Sequence, residues 1–175
     1  MLDQAFIEGE PGFGLDPWTG APGLIVLRSL GKFFGLAGLR AGAVLADPGL
    51  AREMSNELGP WTVSGPARYL MARALQDRAW QVEARASLRT ARLRMDGLLR
   101  QYGMSSPTGT LLFRTVQHPR AADIADQMAC RGILVRRFDA PVALRFGLPP
   151  DETGWQRLEG ALSELTYLID HPHPG

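Results

Sequence analysis

Two short apolar runs, residues 24–27 and 41–46, flank a glycine-rich stretch holding a lone lysine, Lys32, with glycines at 35, 38 and 42. Runs this short, and apolar on both faces, suit strands of a buried parallel sheet covered by helices. Two or three strands cannot form such a sheet alone, because the outer edge presents unpaired N–H and C=O groups along an apolar face. The sequence therefore predicts an α/β architecture whose first sheet is incomplete.

The stretch between the runs has a chemical logic of its own. Ser29 and Arg40 flank Lys32, a hydroxyl and a planar guanidinium fork on either side of the amine. The glycines allow positive φ and close backbone approach. A lysine among glycines is, taken singly, a solvated loop residue. The whole string gives it a chemical role.

That string, Arg28-Ser-Leu-Gly-Lys32-Phe-Phe-Gly-Leu-Ala-Gly-Leu-Arg40, together with Asp3 near the start and Gly59-Pro-Trp-Thr-Val-Ser-Gly-Pro66 further on, resembles the Schiff-base segment of pyridoxal-phosphate (PLP) enzymes. The family is the class I/II aminotransferase superfamily, fold type I, and within it the threonine-phosphate decarboxylase branch of cobalamin biosynthesis. The resemblance implies the C-terminal portion of that fold: an incomplete large-domain sheet (residues 1–63), interdomain helices (64–101), a small α/β domain (102–170) and a tail (171–175). Members are substantially longer, with the lysine past the middle, so the first half is expected to be absent. With it would go the glycine turn at the phosphate, the ring that stacks on the pyridine and an asparagine at the ring oxygen.

The resemblance also assigns roles. Lys32 is the implied Schiff-base and catalytic residue, Asp3 the partner of the pyridinium nitrogen, and Ser29 and Arg40 the phosphate ligands. Arg145 matches the arginine that receives the substrate α-carboxylate, and Arg136 or Arg137 one that receives a substrate phosphate. Alternation in the surrounding strand supports Arg145, since Leu144 and Phe146 face one way and Arg145 the other. Two departures stand out: Gln4 where the family usually has Glu, and Phe6 where many aminotransferases have a tyrosine contacting the ring oxygen.

Three functions follow from the resemblance. The first is decarboxylation of L-threonine O-3-phosphate to (R)-1-aminopropan-2-yl phosphate. The second is an aminotransferase reaction of the histidinol-phosphate kind, and the third is no catalysis at all, in a fragment. A small phosphorylated amino acid is the implied substrate, and a homodimer is implied for the intact enzyme.

Elsewhere the pattern is read position by position. Asp47-Pro48 opens a helix to about residue 58, Ser64 caps the next, and residues 67–101 are helical in two pieces, the second capped by Asp77. Leu70, Met71, Ala74 and Leu75 form one apolar stripe, and Trp80, Ala84, Leu88, Met95 and Leu99 another. Arginines 85, 89, 92, 94 and 100, among Glu83 and Asp96, read as a solvated face. Strands are expected at 111–116, 133–136 and 142–146. Helices are expected at 120–131, with Ala122, Ile124, Ala125 and Met128 inward, and at 151–169, with Trp155, Leu158, Leu162 and Leu165 inward. His118 reads as structural and Cys130 as a small core filler.

Composition narrows the classes. With 175 residues, 45% hydrophobic and a net charge of +1, the chain carries no basic footprint for nucleic acid. No apolar run approaches the ~18 residues of a membrane span, no leader is visible at the start, and a cytoplasmic setting is the expectation. One cysteine excludes an intrachain disulfide. His171 and His173 lack the rest of a metal-coordination set, so no metal is expected.

Overall fold

The computed structural model describes residues 1–170, so His171 and His173 lie outside the described residues. It divides into two compact units, Met1–Ala86 and Ser87–Gly175, and the division falls inside one long helix.

In the first unit, β1 (Leu2–Asp3), β2 (Val26–Ser29) and β3 (Gly42–Leu45) form a three-stranded sheet in that order. β1 runs parallel to β2, but β3 runs antiparallel to it, so the sheet is mixed and not the purely parallel one that the apolar runs predict. Residues 30–41 contain only turns and one 3-10 segment, Ala37–Leu39. A link without a crossover helix returns the chain alongside its own strand in the opposite sense. β3 alternates between exposed and half-buried positions and is not covered on both faces. Residues 4–25, between β1 and β2, form turns that include three 3-10 segments: Ile7–Gly9, Pro11–Phe13 and Asp16–Trp18.

The helices that follow begin where their caps predict. In α1 (Pro48–Leu58) the Asp47 carboxylate accepts from the N–H groups of Gly49 and Leu50. In α2 (Gly65–Gln76) Ser64 Oγ accepts from Ala67 N. In α3 (Arg78–Gln101) Asp77 accepts from Trp80 N. Each cap satisfies a helix-end donor that would otherwise lack a partner. The predicted stripe on α2 is less buried than its pattern implies, with Leu70 41% and Leu75 42% exposed.

The second unit has β4 (Phe113–Gln117), α4 (Ala121–Cys130), β5 (Arg136–Asp139), β6 (Val142–Gly147), α5 (Glu152–Glu164) and α6 (Thr166–Ile169). β6 is central in an antiparallel sheet of order β4-β6-β5. Its Leu144 and Phe146, with Val116, bury one sheet face in a core with Met95, Leu99, Ile124, Met128, Trp155, Leu158, Leu162 and Leu165.

Several expectations shift here. The strand predicted at 133–136 pairs instead over Arg136–Asp139. On α4 Ala121, Ile124 and Met128, spaced i, i+3, i+7 on one face, are buried, whereas Ala122 and Cys130, roughly 100° from Ala121 and 200° from Met128, are exposed. The arginine-rich face of α3 is not uniformly solvated. Asp96 is buried, its Oδ1 receiving Arg114 Nε at 2.6 Å, whereas Arg94 stays exposed and makes paired 2.6 Å bonds to Glu152. His118 is buried and structural: its Nδ1 accepts from Arg120 N at 3.2 Å, which leaves the proton on Nε2 to donate to Ile169 O at 3.1 Å.

Removing one member of a buried, hydrogen-bonded ion pair strands the other charge. Asp96→Ala is therefore expected to destabilise the second unit by about 3 kcal/mol, read as a fall in the urea midpoint. Asp126→Ala, at an exposed position of α4, should shift it by less than about 0.5 kcal/mol.

Candidate active site

The lysine-bearing loop is closed at its neck by the sheet. Ser29 pairs with Gly42 and Arg28 with Ala43, and Leu30 N donates to Ala41 O at 3.4 Å just beyond. A Cβ at position 42 would lie 2.6 Å from the Arg28 carbonyl oxygen, so only glycine allows this approach. Within the loop Gly35 N donates to Lys32 O and Leu36 N to Leu30 O, both at 3.1 Å. Gly35 (φ +67°) and Arg40 (φ +50°) turn the chain through the left-handed region. Phe33 and Phe34 are buried edge to face with each other, and both rings meet Trp80 of α3, at 5.4 and 5.8 Å. Aromatic pairs at such spacings add to area burial. Lys32 stays exposed, its Nζ 5.4 Å from the centroid of the Phe6 ring.

Strand direction gathers the other residues of the sequence-predicted set. β1 and β2 are parallel with Asp3 opposite Leu27, so their carboxyl ends, Asp3 and Ser29, lie at one sheet end. The antiparallel β3 begins there, two residues after Arg40. Carboxyl ends of strands in open α/β sheets are where ligands bind. Asp3 Oδ1 accepts from Ala5 N at 2.9 Å. Ser29 Oγ accepts from Gly31 N at 3.1 Å, an arrangement that keeps its O–H proton available to donate. Arg40 Nη1 donates to the carbonyl of Ala37 at 3.4 Å. Among the described residues, Asp3, Lys32 and Arg40 take part in no ion pair. One carboxylate, one hydroxyl, one amine and one guanidinium at a single sheet end fit the phosphorylated aldehyde that the sequence implies. Lys32 is the only lysine of the chain, so no other ε-amine competes with it.

In the second unit the sheet face opposite the core carries a pair of cations. Arg136 lies directly across from Arg145 in the β5–β6 ladder, while Arg137 lies across from Leu144. Cross-strand partners share a face, so Arg136 accompanies Arg145. Arg137 shares the other face, where its Nε meets Asp139 Oδ1 at 3.3 Å. Like charges directly opposite one another are unfavourable, and two rings moderate the cost. The Arg145 guanidinium lies 4.8 Å from the Phe113 centroid and 5.7 Å from that of Phe138, and Arg136 lies 5.1 Å from Phe138. Partial burial, and then the Arg136 charge, hold the Arg145 pKa below the ordinary arginine value. An anion placed against both guanidinium groups relieves this repulsion. Sequence reading missed Phe113 and Phe138, although the alternation that oriented Arg145 places both on its face.

The family model for "Aminotransferase class I and II" matches residues 1–165. Threonine-phosphate decarboxylase of Pseudomonas aeruginosa is 46% identical over 162 residues, which are 93% of this chain and 49% of that protein. Histidinol-phosphate aminotransferase of Dehalococcoides mccartyi (strain BAV1) is 28% identical, over 94% of this chain and 48% of its own length. A crystal structure of histidinol-phosphate aminotransferase from Sinorhizobium meliloti, in complex with pyridoxal-5'-phosphate, superposes with a TM-score of 0.83 at 24% identity. The match covers 96% of this chain and 49% of that one, so the fold is that of about half such a chain. The chain likewise spans about half the length of the curated relatives it matches.

Gly42→Ala is expected to force β2 and β3 apart at the neck and cost about 2 kcal/mol, as overpacking does. A lowered melting temperature with faster amide exchange at Leu30 would register it.

Proposed function

The chain belongs to the aminotransferase class I and II family, and on that premise we propose that it is part of a PLP-dependent enzyme that decarboxylates L-threonine O-3-phosphate. The product is (R)-1-aminopropan-2-yl phosphate, for cobalamin biosynthesis. The observation that carries this reading is the 46% identity to a threonine-phosphate decarboxylase, against 28% to the aminotransferase relative, over nearly the same span.

Bound PLP supplies a protonated pyridine ring that takes up the electron pair left when a bond at the substrate Cα breaks. The Asp3 carboxylate keeps the ring nitrogen protonated. Ser29 donates its hydroxyl proton, and Arg40 its fork, to the cofactor phosphate. Lys32 would hold the cofactor's aldehyde carbon through its ε-amine, and the same amine would carry the proton that Cα receives after CO₂ has left. Arg145 takes the substrate carboxylate and Arg136 the substrate phosphate. Two anionic groups on one substrate match two cations on one sheet face.

The direct assay is to incubate the complete enzyme carrying this segment with L-threonine O-3-phosphate, and separately with an amino-acid and oxo-acid pair. CO₂ release without keto product is expected, and keto product without CO₂ would favour an aminotransferase. Lys32→Ala should lower decarboxylation by at least about 10³-fold, the scale of a lost general acid.

Residues 1–175 by themselves are expected to bind PLP weakly and not to turn over. The outermost strand, β1, has two residues, both exposed, and presents an unsatisfied sheet edge beside Asp3. An absorbance titration giving tight, stoichiometric binding with turnover would contradict this.

A further inference from the structure

We propose that Glu8 is a positioning residue for the Lys32 amine, a clasp gripped by two arginines that ties the turn carrying Phe6, beside whose ring that amine rests, to the lysine loop. The inference rests on the reading of Lys32 as the reactive residue. It concerns side chains with no role in the chemistry described above.

Glu8 belongs to the 3-10 turn Ile7–Gly9, which Phe6 caps. Its carboxylate Oε1 receives Arg28 Nε at 3.0 Å, with side-chain exposures of only 14% and 12%. Its backbone carbonyl receives Arg85 Nε, also at 3.0 Å. The two arginines come from different elements, β2 and α3, and each also holds the lysine loop. Arg28 immediately precedes Ser29, and its second ion pair, to Asp16 Oδ2 at 3.0 Å, fixes its orientation. Arg85 lays its guanidinium 5.1 Å from the Phe33 centroid, on the residue after Lys32, and Gln81 Oε1 steadies it at 3.3 Å. One glutamate is thus bonded to groups that hold the lysine loop on either side of Lys32. Two residues before Glu8, Phe6 presents the ring beside which the Lys32 Nζ rests.

The energetics favour a role in positioning over one in bulk stability. Nη1 of Arg28 is buried without a hydrogen-bond partner among the described residues, which subtracts from what the pair adds to stability. Buried ion pairs often add little net stability compared with apolar replacements, and fixing one arrangement among several is a recognised reason to keep them. In this unit the arrangement fixed is that of the turn after Asp3 against the loop around Lys32.

The test uses the purified chain and needs no cofactor, so its outcome is independent of whether the proposed reaction is right. Because Lys32 carries the only ε-amine, the rate at which limiting acetic anhydride modifies it can be read from a single peptide mass. Hydrogen exchange at Gly35 and Leu36 reports the loop. Glu8→Ala should raise loop exchange about tenfold, the factor carried by one lost charge-assisted hydrogen bond, and should move the modification rate of the exposed Lys32 amine measurably away from the parent's. Glu8→Gln, which keeps an acceptor for Arg28, should fall between Glu8→Ala and the parent. Exchange in α4 should stay at the parent value in both variants. Should Glu8→Ala unfold the first unit, Arg85→Gln, which leaves the Glu8–Arg28 pair in place, should loosen the same two readouts. Parent-like rates at Lys32 and in the loop in these variants would overturn the proposal, as would a parent chain whose loop amides exchange without protection.

Discussion

The approach of Gly42 to the backbone of Arg28 governs the first unit. With no Cβ in the way, β3 can pair with β2 from its first residue, and the neck of the loop closes at Ser29. Everything chemical in that unit follows from the closure. Ser29 becomes the last residue of its strand, Arg40 is brought back to the same sheet end, and Lys32 is left projecting from a loop whose next two residues are buried against Trp80. If Lys32 is the reactive amine proposed above, it needs this combination of a fixed backbone and an exposed tip, since a supporting shell sets the precision of its aim.

The second unit works by a different device. A three-stranded antiparallel sheet buries one face in an apolar core and presents the other as a pair of guanidinium groups laid on two phenylalanines. The mutual repulsion of Arg136 and Arg145 is tolerable beside aromatic faces and is relieved by an anion. On the proposed reading, two like charges held directly opposite one another in a ladder would receive a doubly anionic substrate.

What the sequence disclosed follows the range of the interactions involved. Caps at Asp47, Ser64 and Asp77 were legible because each acts on an amide two or three residues away. The orientation of Arg145 was legible because strand alternation has period two. The direction of β3 was not, since apolar runs look alike in parallel and antiparallel strands, and only the link between them decides. The Asp96–Arg114 pair and the grip of Arg28 and Arg85 on Glu8 join residues 18, 20 and 77 apart in the chain. Charge patterning along a single helix represents such partners as solvated. Burial of Cys130 failed for a smaller reason: two residues beyond Met128, it lies on the opposite side of α4 from the buried stripe.

The central claim is that the lysine loop presents one amine to an aldehyde cofactor. Borohydride reduction of the complete enzyme after incubation with PLP, followed by peptide mapping, tests it most directly. The account predicts a single stable adduct on the peptide containing Lys32. An adduct on any other residue of the enzyme, with the Lys32 peptide unmodified, would contradict it.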